Sequence, residues 1–444
     1  MEDNTKRRNS TSGPARATEK SPSFAVDPLM KQEEAQPIVV VDDTTLAPFY
    51  VSAINLLKTI IGAGILALPW ALSCFGFIPG MCVMLLAAGL AALGLHLLTV
   101  AACSVGRNAS TAALCKITYP KAVIAFEIAI AVKCIGAAAA YLGIIGNTCV
   151  NLAQAFISAD TLGPFFASIL HAKPFWVLTA TLCISPVCLM RKMDSLKYTS
   201  FAGMAAVLYL VILTVWNYFQ TSTATFTNMV IFAKPSLNCF KAFGVFVFAF
   251  TCHQNILPIQ NEARKNSPTA MAQIISFSVG FSTFLYIIEA VFGYATYGSS
   301  IKDVILDNFP NKQWPFVAAR IFYVFLLIFS YPLQVLPSRN CIQKIFTIYN
   351  DEFAQKAAQP LYFGSTAAIM GISAAIAAFT SSIELILRLV GSTSGTFLCY
   401  FLPAIICLKL EQDRPMNLRK IGSFVLIFAG IATFVSSMIS IFWK

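Results

Sequence analysis

The sequence contains few charged side chains. Lysine, arginine, aspartate and glutamate together make up 11% of its 444 residues, and only three residues are histidine. Hydrophobic residues make up 57%, and the mean hydropathy is +0.71. One soluble core cannot hide this much apolar surface, so the composition excludes an ordinary soluble domain. It predicts a chain that crosses a membrane many times.

The residue patterns of enzymes and metal proteins are also missing. The thirteen cysteines form no CxxC pair and no cysteine–histidine spacing of the kind that holds a metal. None of them lies clearly within a predicted outer loop, so no disulfide framework is expected. The sequence shows no nucleophile with a neighbouring base and no nucleotide-binding loop. We therefore predict that the protein is not an enzyme and uses no cofactor.

The net charge of +11 does not indicate a nucleic-acid partner. Most lysines and arginines occupy short links between apolar runs, and they concentrate on one side of the predicted membrane. This asymmetry is a topology signal, because loops rich in lysine and arginine stay in the cytoplasm. It places the N-terminus in the cytoplasm.

Apolar runs of about 17 to 25 residues predict eleven membrane spans. The polar residues 1–46 before them are expected to form a disordered cytoplasmic tail. The transmembrane domain then covers residues 47–444. The predicted spans are residues 48–71, 77–101, 121–157, 174–190, 196–217, 239–259, 270–297, 314–337, 361–380, 383–408 and 421–443.

Two of these spans contain breaks at matching places. Span 1 is interrupted by Gly62-Ala-Gly64 and continues to Pro69, and span 6 contains Phe250-Thr-Cys-His253 followed by Pro258. Non-helical backbone at bilayer depth is tolerated only where protein or a water-filled cavity satisfies it. Each proline could simply kink a packing helix. Breaks five spans apart, however, are typical of an inverted repeat with a binding site at the breaks, here two sets of five helices plus one accessory helix.

Three segments resemble the amino acid/auxin permease family, within the amino acid, polyamine and organocation superfamily. They are Ile61-Gly-Ala-Gly-Ile-Leu-Ala-Leu-Pro-Trp70, Phe248-Ala-Phe-Thr-Cys-His-Gln-Asn-Ile-Leu-Pro-Ile-Gln-Asn-Glu262, and Gly391-Ser-Thr-Ser-Gly-Thr396 before Leu402-Pro403. The resemblance extends from about residue 48 to residue 443. It implies an all-α, LeuT-like fold with eleven transmembrane helices and the secondary active transport of amino acids, driven by protons or sodium.

The resemblance and the breaks together predict a substrate site. An amino acid is a zwitterion, so its site needs donors for the carboxylate and acceptors for the ammonium. We expect the freed amides of residues 62–64 to hold the carboxylate, helped by the dipole of the following half-helix. Glycine there should let the ligand approach the backbone closely, which a Cβ would obstruct. The carbonyls of residues 248–250 should accept from the ammonium. The predicted substrate residues are Gly62, Ala63, Gly64, Ile65, Phe248, Ala249, Phe250, Thr251 and Cys252.

Ionisable and hydroxyl groups at membrane depth are candidates for ion coupling. Lys58 lies about one helical turn before Gly62, where an ammonium would repel sodium; alternatively, it snorkels to the inner surface or forms a structural ion pair. His253 borders the second break, and Ser330 resembles a hydroxyl position of the sodium site in sodium-coupled relatives. The coupling candidates are Lys58, His253, Glu127, Glu289 and Ser330.

These observations predict a secondary active transporter of neutral amino acids that is coupled to protons. It should reside in the plasma membrane or in a vacuolar or lysosomal membrane, with the amino acid, protons and the lipid bilayer as its partners. Two alternatives stay open: a membrane amino acid sensor that transports little, and a sodium-coupled symporter. An ion channel would instead need a continuous polar or carbonyl-lined pore.

Overall fold

The computed structural model describes residues 46–157, 163–190, 196–221, 224–234 and 236–442. The tail predicted over residues 1–46 therefore lies outside the described residues, apart from Leu46. Within the described ranges the chain is almost entirely helical. The β geometry there is limited to one isolated bridge, between Ala47 and Ala263.

Eleven membrane spans are present if each of two bent helix pairs is counted as one. Nine further helices in the described ranges are long and apolar enough to cross a membrane, and the bends in the two pairs are 43° and 61°. The prediction of an all-α protein with eleven spans is therefore confirmed. The spans are Phe49–Ile60 with Ala63–Phe75, Phe77–Ala102, Pro120–Phe156, Pro164–Leu170 with Lys173–Cys188, Leu196–Gln220, Leu237–Glu262, Pro268–Tyr297, Trp314–Tyr349, Ala358–Phe379, Ile383–Leu410 and Leu418–Phe442.

Some boundaries differ from the predicted ones. Span 8 continues to Tyr349, twelve residues beyond the predicted end, because its polar last turns remain helical while they pack against span 3. Span 4 begins with a short helix, Pro164–Leu170, that hydropathy alone did not indicate. Span 10 contains two π-helical turns, Gly391–Gly395 and Phe397–Phe401, within a segment that we predicted as ordinary helix. The apolar runs thus located every span but not the local irregularities.

The N-terminal end of span 1 is fastened to the C-terminal end of span 6. The Ala47 amide donates to the Glu262 carbonyl at 2.9 Å, and the Arg264 amide donates to the Ala47 carbonyl at 2.8 Å. The Arg107 guanidinium, from the loop after span 2, also donates to the Ala263 carbonyl at 3.2 Å. The two broken helices are therefore held together at one end by backbone hydrogen bonds.

At the opposite end of the bundle, a buried arginine organises the loop between spans 7 and 8. Arg320 is fully buried in span 8. Its guanidinium donates to the carbonyls of Leu306, Phe309 and Pro310 at 2.9, 2.7 and 3.0 Å and to the Asn311 side chain at 2.8 Å. A single cation thus satisfies three loop carbonyls and fixes the loop against the helices.

Replacing this arginine should loosen the loop. Arg320→Met keeps an apolar stem but leaves three carbonyls without their donor, and each such buried group costs about 1–3 kcal/mol. We expect a lower apparent Tm for the purified protein in detergent and faster thiol labelling of a cysteine introduced at Ser300. Lys312→Met, which removes an exposed cation from the same loop, is the control and should change neither reading. An unchanged Tm and labelling rate for Arg320→Met would contradict this role.

Candidate substrate site

The breaks of spans 1 and 6 lie in direct contact. Span 1 leaves the helix after Ile60 and resumes as a 3-10 turn over Ala63–Ala67. Span 6 leaves the helix after Phe250 and resumes at His253. A Cβ added at Gly64 would lie 2.6 Å from the Ala249 Cα, so the two backbones touch where both helices are interrupted.

This contact changes the reason for one predicted residue. We expected Gly64 to lack a side chain so that the ligand could approach its backbone. The structure places the span 6 backbone, and not open space, on the Cβ side of Gly64. The glycine is therefore required first for the close packing of two broken helices.

Three backbone donors at the span 1 break have no hydrogen-bond partner among the described residues. They are the amides of Gly62, Ala63 and Gly64. All three residues are buried. Buried amides are nearly always paired, so three adjacent amides without a partner in the described chain are available to bind an anion. Their assignment to a carboxylate stays a prediction.

Tyrosine hydroxyls satisfy the carbonyls at the breaks. The Tyr286 hydroxyl, from span 7, lies 2.8 Å from the Ile60 carbonyl oxygen and 3.0 Å from the Ala249 carbonyl oxygen, and these two acceptors share its single proton. The Tyr323 hydroxyl, from span 8, donates to the Gly62 carbonyl at 2.7 Å. Both tyrosines are fully buried. No sequence pattern indicates these two contacts, because a single tyrosine in an apolar span does not identify its partner.

Contacts within the protein reduce the number of predicted carbonyls that are available to the substrate ammonium. The Ala249 carbonyl is occupied by Tyr286, and the Phe248 carbonyl accepts from the Thr251 amide at 3.1 Å. The Phe250 carbonyl has no donor among the described residues. Of the three predicted acceptors, Phe250 is the one left to meet a ligand.

A line of polar side chains leads away from Gly62. A Cβ at Gly62 would lie 2.7 Å from the Tyr141 hydroxyl of span 3. The Gln334 side chain of span 8 donates to that hydroxyl at 3.3 Å and accepts from the Lys133 ammonium at 3.5 Å. Lys133, Tyr141 and Gln334 are all buried. The sequence analysis assigned none of these three side chains to the site, because their contacts join spans that are distant in the sequence.

The remaining predicted substrate residues are Thr251, Cys252 and Ile65, and all three are buried. The Thr251 hydroxyl donates to the Val247 carbonyl of its own helix at 2.6 Å and accepts from the Cys399 thiol at 3.2 Å. Cys252 and Ile65 are fully buried. Their assignment as substrate residues stays a prediction.

Two coupling candidates, Glu289 and Ser330, are buried in spans 7 and 8. Glu289 is fully buried in span 7, one turn beyond Tyr286. One of its carboxyl oxygens accepts from the Thr214 hydroxyl at 2.9 Å, and the other has no partner among the described residues. Ser330 is buried where the two halves of span 8 meet.

The other coupling candidates have separate surroundings. Lys58 is half-buried on the helical turn before the span 1 break. Glu127, near the start of span 3, lies 3.7 Å from the Lys344 ammonium of span 8. A Cβ at Gly94 of span 2 would lie 2.8 Å from the His253 imidazole, so that ring packs against span 2. The five candidates therefore do not form one cluster.

Comparisons with known proteins agree with this architecture. The sequence profile of the family described as "Transmembrane amino acid transporter protein" matches residues 49–443. The chain belongs to this family. The membership confirms the predicted resemblance, and the protein is a multi-pass membrane transporter of amino acids.

Several relatives of this amino acid transporter cover most of its length. "Vacuolar amino acid transporter 5" of Schizosaccharomyces pombe is 32% identical over 396 residues, which are 87% of this chain and 91% of the relative. "Vacuolar amino acid transporter 5" of Saccharomyces cerevisiae is 28% identical, with 87% and 96% covered. "Vacuolar amino acid transporter 7" of the same yeast is 31% identical, with 66% and 59% covered.

The fold of the transporter also occurs in a solved structure. The crystal structure of MhsT in complex with L-phenylalanine superposes with a TM-score of 0.54 and 12% identity, covering 88% of this chain and 97% of MhsT. At this identity the likeness shows the fold alone. It supports the predicted LeuT-like arrangement.

The contact between the breaks predicts a severe effect of adding one methyl group. Gly64→Ala places a Cβ 2.6 Å from the Ala249 Cα, so spans 1 and 6 must separate and the amides of residues 62–64 must move. We expect amino acid uptake by proteoliposomes to fall at least about tenfold, which corresponds to about 1.4 kcal/mol. Gly280→Ala is the matched control, because a Cβ there meets nothing within 4 Å. Equal uptake by the two variants would rule out the close contact as a requirement.

Proposed function

We propose that this transporter carries neutral amino acids together with protons across a vacuolar-type membrane, with the tail over residues 1–46 in the cytoplasm and residues 47–444 as the transporter domain. The observation that carries the proposal is the set of three unpaired amides at Gly62, Ala63 and Gly64, in contact with the span 6 break. The names of the yeast relatives support the vacuolar location.

The unpaired groups match the two charges of an amino acid. The amides of residues 62–64 and the Tyr141 hydroxyl supply donors for a carboxylate, and the Phe250 carbonyl supplies an acceptor for an ammonium. Leaving a buried polar group unpaired costs about 1–3 kcal/mol, so a ligand that pairs several of them at once is strongly favoured. In this proposal the substrate supplies the hydrogen-bond partners for the unpaired backbone groups of both broken helices.

For the proton, Glu289 is the most suitable of the coupling candidates. Burying a carboxyl group costs much less free energy when the group is protonated than when it is ionised without a neighbouring cation. No salt bridge to Glu289 is formed by the described residues. Glu289 also lies one turn from Tyr286, which holds carbonyls of both breaks. A change in the protonation of Glu289 can therefore affect the substrate site.

Sodium is the alternative coupling ion. Lys58 lies on the last helical turn before the span 1 break, and an ammonium there repels a sodium ion through Coulomb's law. We therefore propose that Lys58 makes the transport independent of sodium. An amino acid sensor would have the same site without net transport, and we propose no enzymatic activity for either case.

Reconstituted protein tests substrate and coupling together. Purified protein in liposomes should accumulate a radiolabelled neutral amino acid when an inward proton gradient is imposed. It should do so equally well in sodium and in choline buffer. Liposomes without protein provide the background. Uptake that needs sodium would contradict the proton proposal, whereas binding of amino acids without any uptake would indicate the sensor.

The proposed proton group can be tested by an isosteric change. Glu289→Gln removes the titrating proton but keeps the size and an acceptor for Thr214, so uptake driven by a proton gradient should fall at least about tenfold. Exchange of labelled for unlabelled amino acid needs no net proton movement and should persist. Glu352→Gln, at an exposed position, is the control. Retained gradient-driven uptake in Glu289→Gln would show that the proton is carried elsewhere.

A further inference from the structure

A buried lysine in span 3 has no counter-charge among the described residues. Lys133 is 2% exposed, and its ammonium donates to the Gln334 carboxamide at a distance of 3.5 Å, the long limit of a hydrogen bond. Among the described residues no carboxylate lies within salt-bridge distance of it. A buried ammonium is expensive unless it is paired with an anion or with several acceptors.

The neighbours of Lys133 do not supply that anion. The ionisable groups close enough to interact with its ammonium are the thiols of Cys134, Cys252 and Cys399 and the imidazole of His253. They come from span 3 itself and from spans 6 and 10, and span 8 contributes the neutral carboxamide of Gln334. None of these groups is a carboxylate. A substrate can therefore supply an acceptor that the described residues around Lys133 do not provide.

The ammonium lies beside the proposed substrate site. Two hydrogen bonds, through Gln334, connect it to the Tyr141 hydroxyl, which faces Gly62. Cys252 belongs to the span 6 break itself. An amino acid that binds its carboxylate at residues 62–64 and its ammonium at Phe250 can therefore extend its side chain toward Lys133.

We propose that Lys133 is the residue that determines side-chain specificity. It forms a subsite for amino acid side chains that end in an oxygen acceptor, a carboxamide or a carboxylate. The same charge excludes side chains that end in a cation. This inference rests on the proposed substrate site. It divides the neutral amino acids into those with and those without a side-chain acceptor, and it adds amino acids with a side-chain carboxylate to the proposed substrates.

Binding of four amino acids by the purified full-length protein tests the subsite. L-glutamine and L-methionine have similar length, but only L-glutamine ends in an oxygen acceptor. A hydrogen bond from a charged group contributes about 1.5–3 kcal/mol, so L-glutamine should bind about 10- to 100-fold more tightly than L-methionine. L-glutamate should also bind, and L-lysine should not compete. Isothermal titration in detergent measures the four affinities.

Two variants remove the positive charge in different ways. Lys133→Met deletes the ammonium and keeps most of the stem, whereas Gln334→Glu supplies the absent carboxylate and neutralises the ammonium in place. In both variants the preference for L-glutamine over L-methionine should collapse to within a fewfold, while L-methionine still binds. Lys121→Met removes an exposed lysine at the start of the same span. It should leave all four affinities unchanged.

The outcomes separate this inference from the proposed function. Equal binding of L-glutamine and L-methionine by the unmodified protein would overturn the subsite, and so would a preference that survives in both variants. If Lys133→Met binds neither amino acid, the result for Gln334→Glu decides alone. If the unmodified protein binds no amino acid at all, the proposed substrate site itself is wrong.

Discussion

The arrangement of this bundle depends on the need to satisfy backbone polar groups that two broken helices expose inside a membrane. A helix satisfies its own amides and carbonyls, and each break leaves several of them without partners where no water is at hand. The carbonyls of Ile60, Gly62 and Ala249 find tyrosine hydroxyls. The amides of residues 62–64 find nothing in the described protein. On their carbonyl side the breaks therefore have hydroxyl partners for these three carbonyls, whereas their donor side is open among the described residues, which favours an anion.

This requirement also explains which helices surround the breaks. Spans 7 and 8 must lie close enough to present the hydroxyls of Tyr286 and Tyr323, and span 3 must present Tyr141 beside Gly62. Spans 1 and 6 touch at Gly64. Only a residue without a side chain permits this contact, because any side chain there would collide with the Ala249 backbone. The fastening of Ala47 to the end of span 6 holds the same pair of helices together farther along. The site is thus built from contacts between spans that are distant in sequence.

The sequence predicts the spans and breaks well because each depends on a local signal. Length and hydropathy identify a span, and a glycine pair or a proline identifies a break. The side chains that contact the breaks have no such local signal. Tyr323 and Gly62, for example, are 261 residues apart in the chain. No periodicity connects such positions. The expected reason for Gly64 was wrong for the same cause, because only the folded chain reveals that Ala249 occupies the space beside it.

The carbonyl side and the donor side of the span 1 break suggest how the proposed proton and substrate act on the same short segment. Glu289 belongs to the carbonyl side, one turn from Tyr286, and Lys133 belongs to the donor side, linked through Gln334 and Tyr141 to Gly62. Both sides act on the same few residues of span 1. A change in the charge of Glu289 alters the field at the hydroxyls that hold these residues, and a substrate carboxylate alters their amides. Because the two effects meet in one short interruption of a helix, the proposed function links substrate binding on one side to protonation of Glu289 on the other.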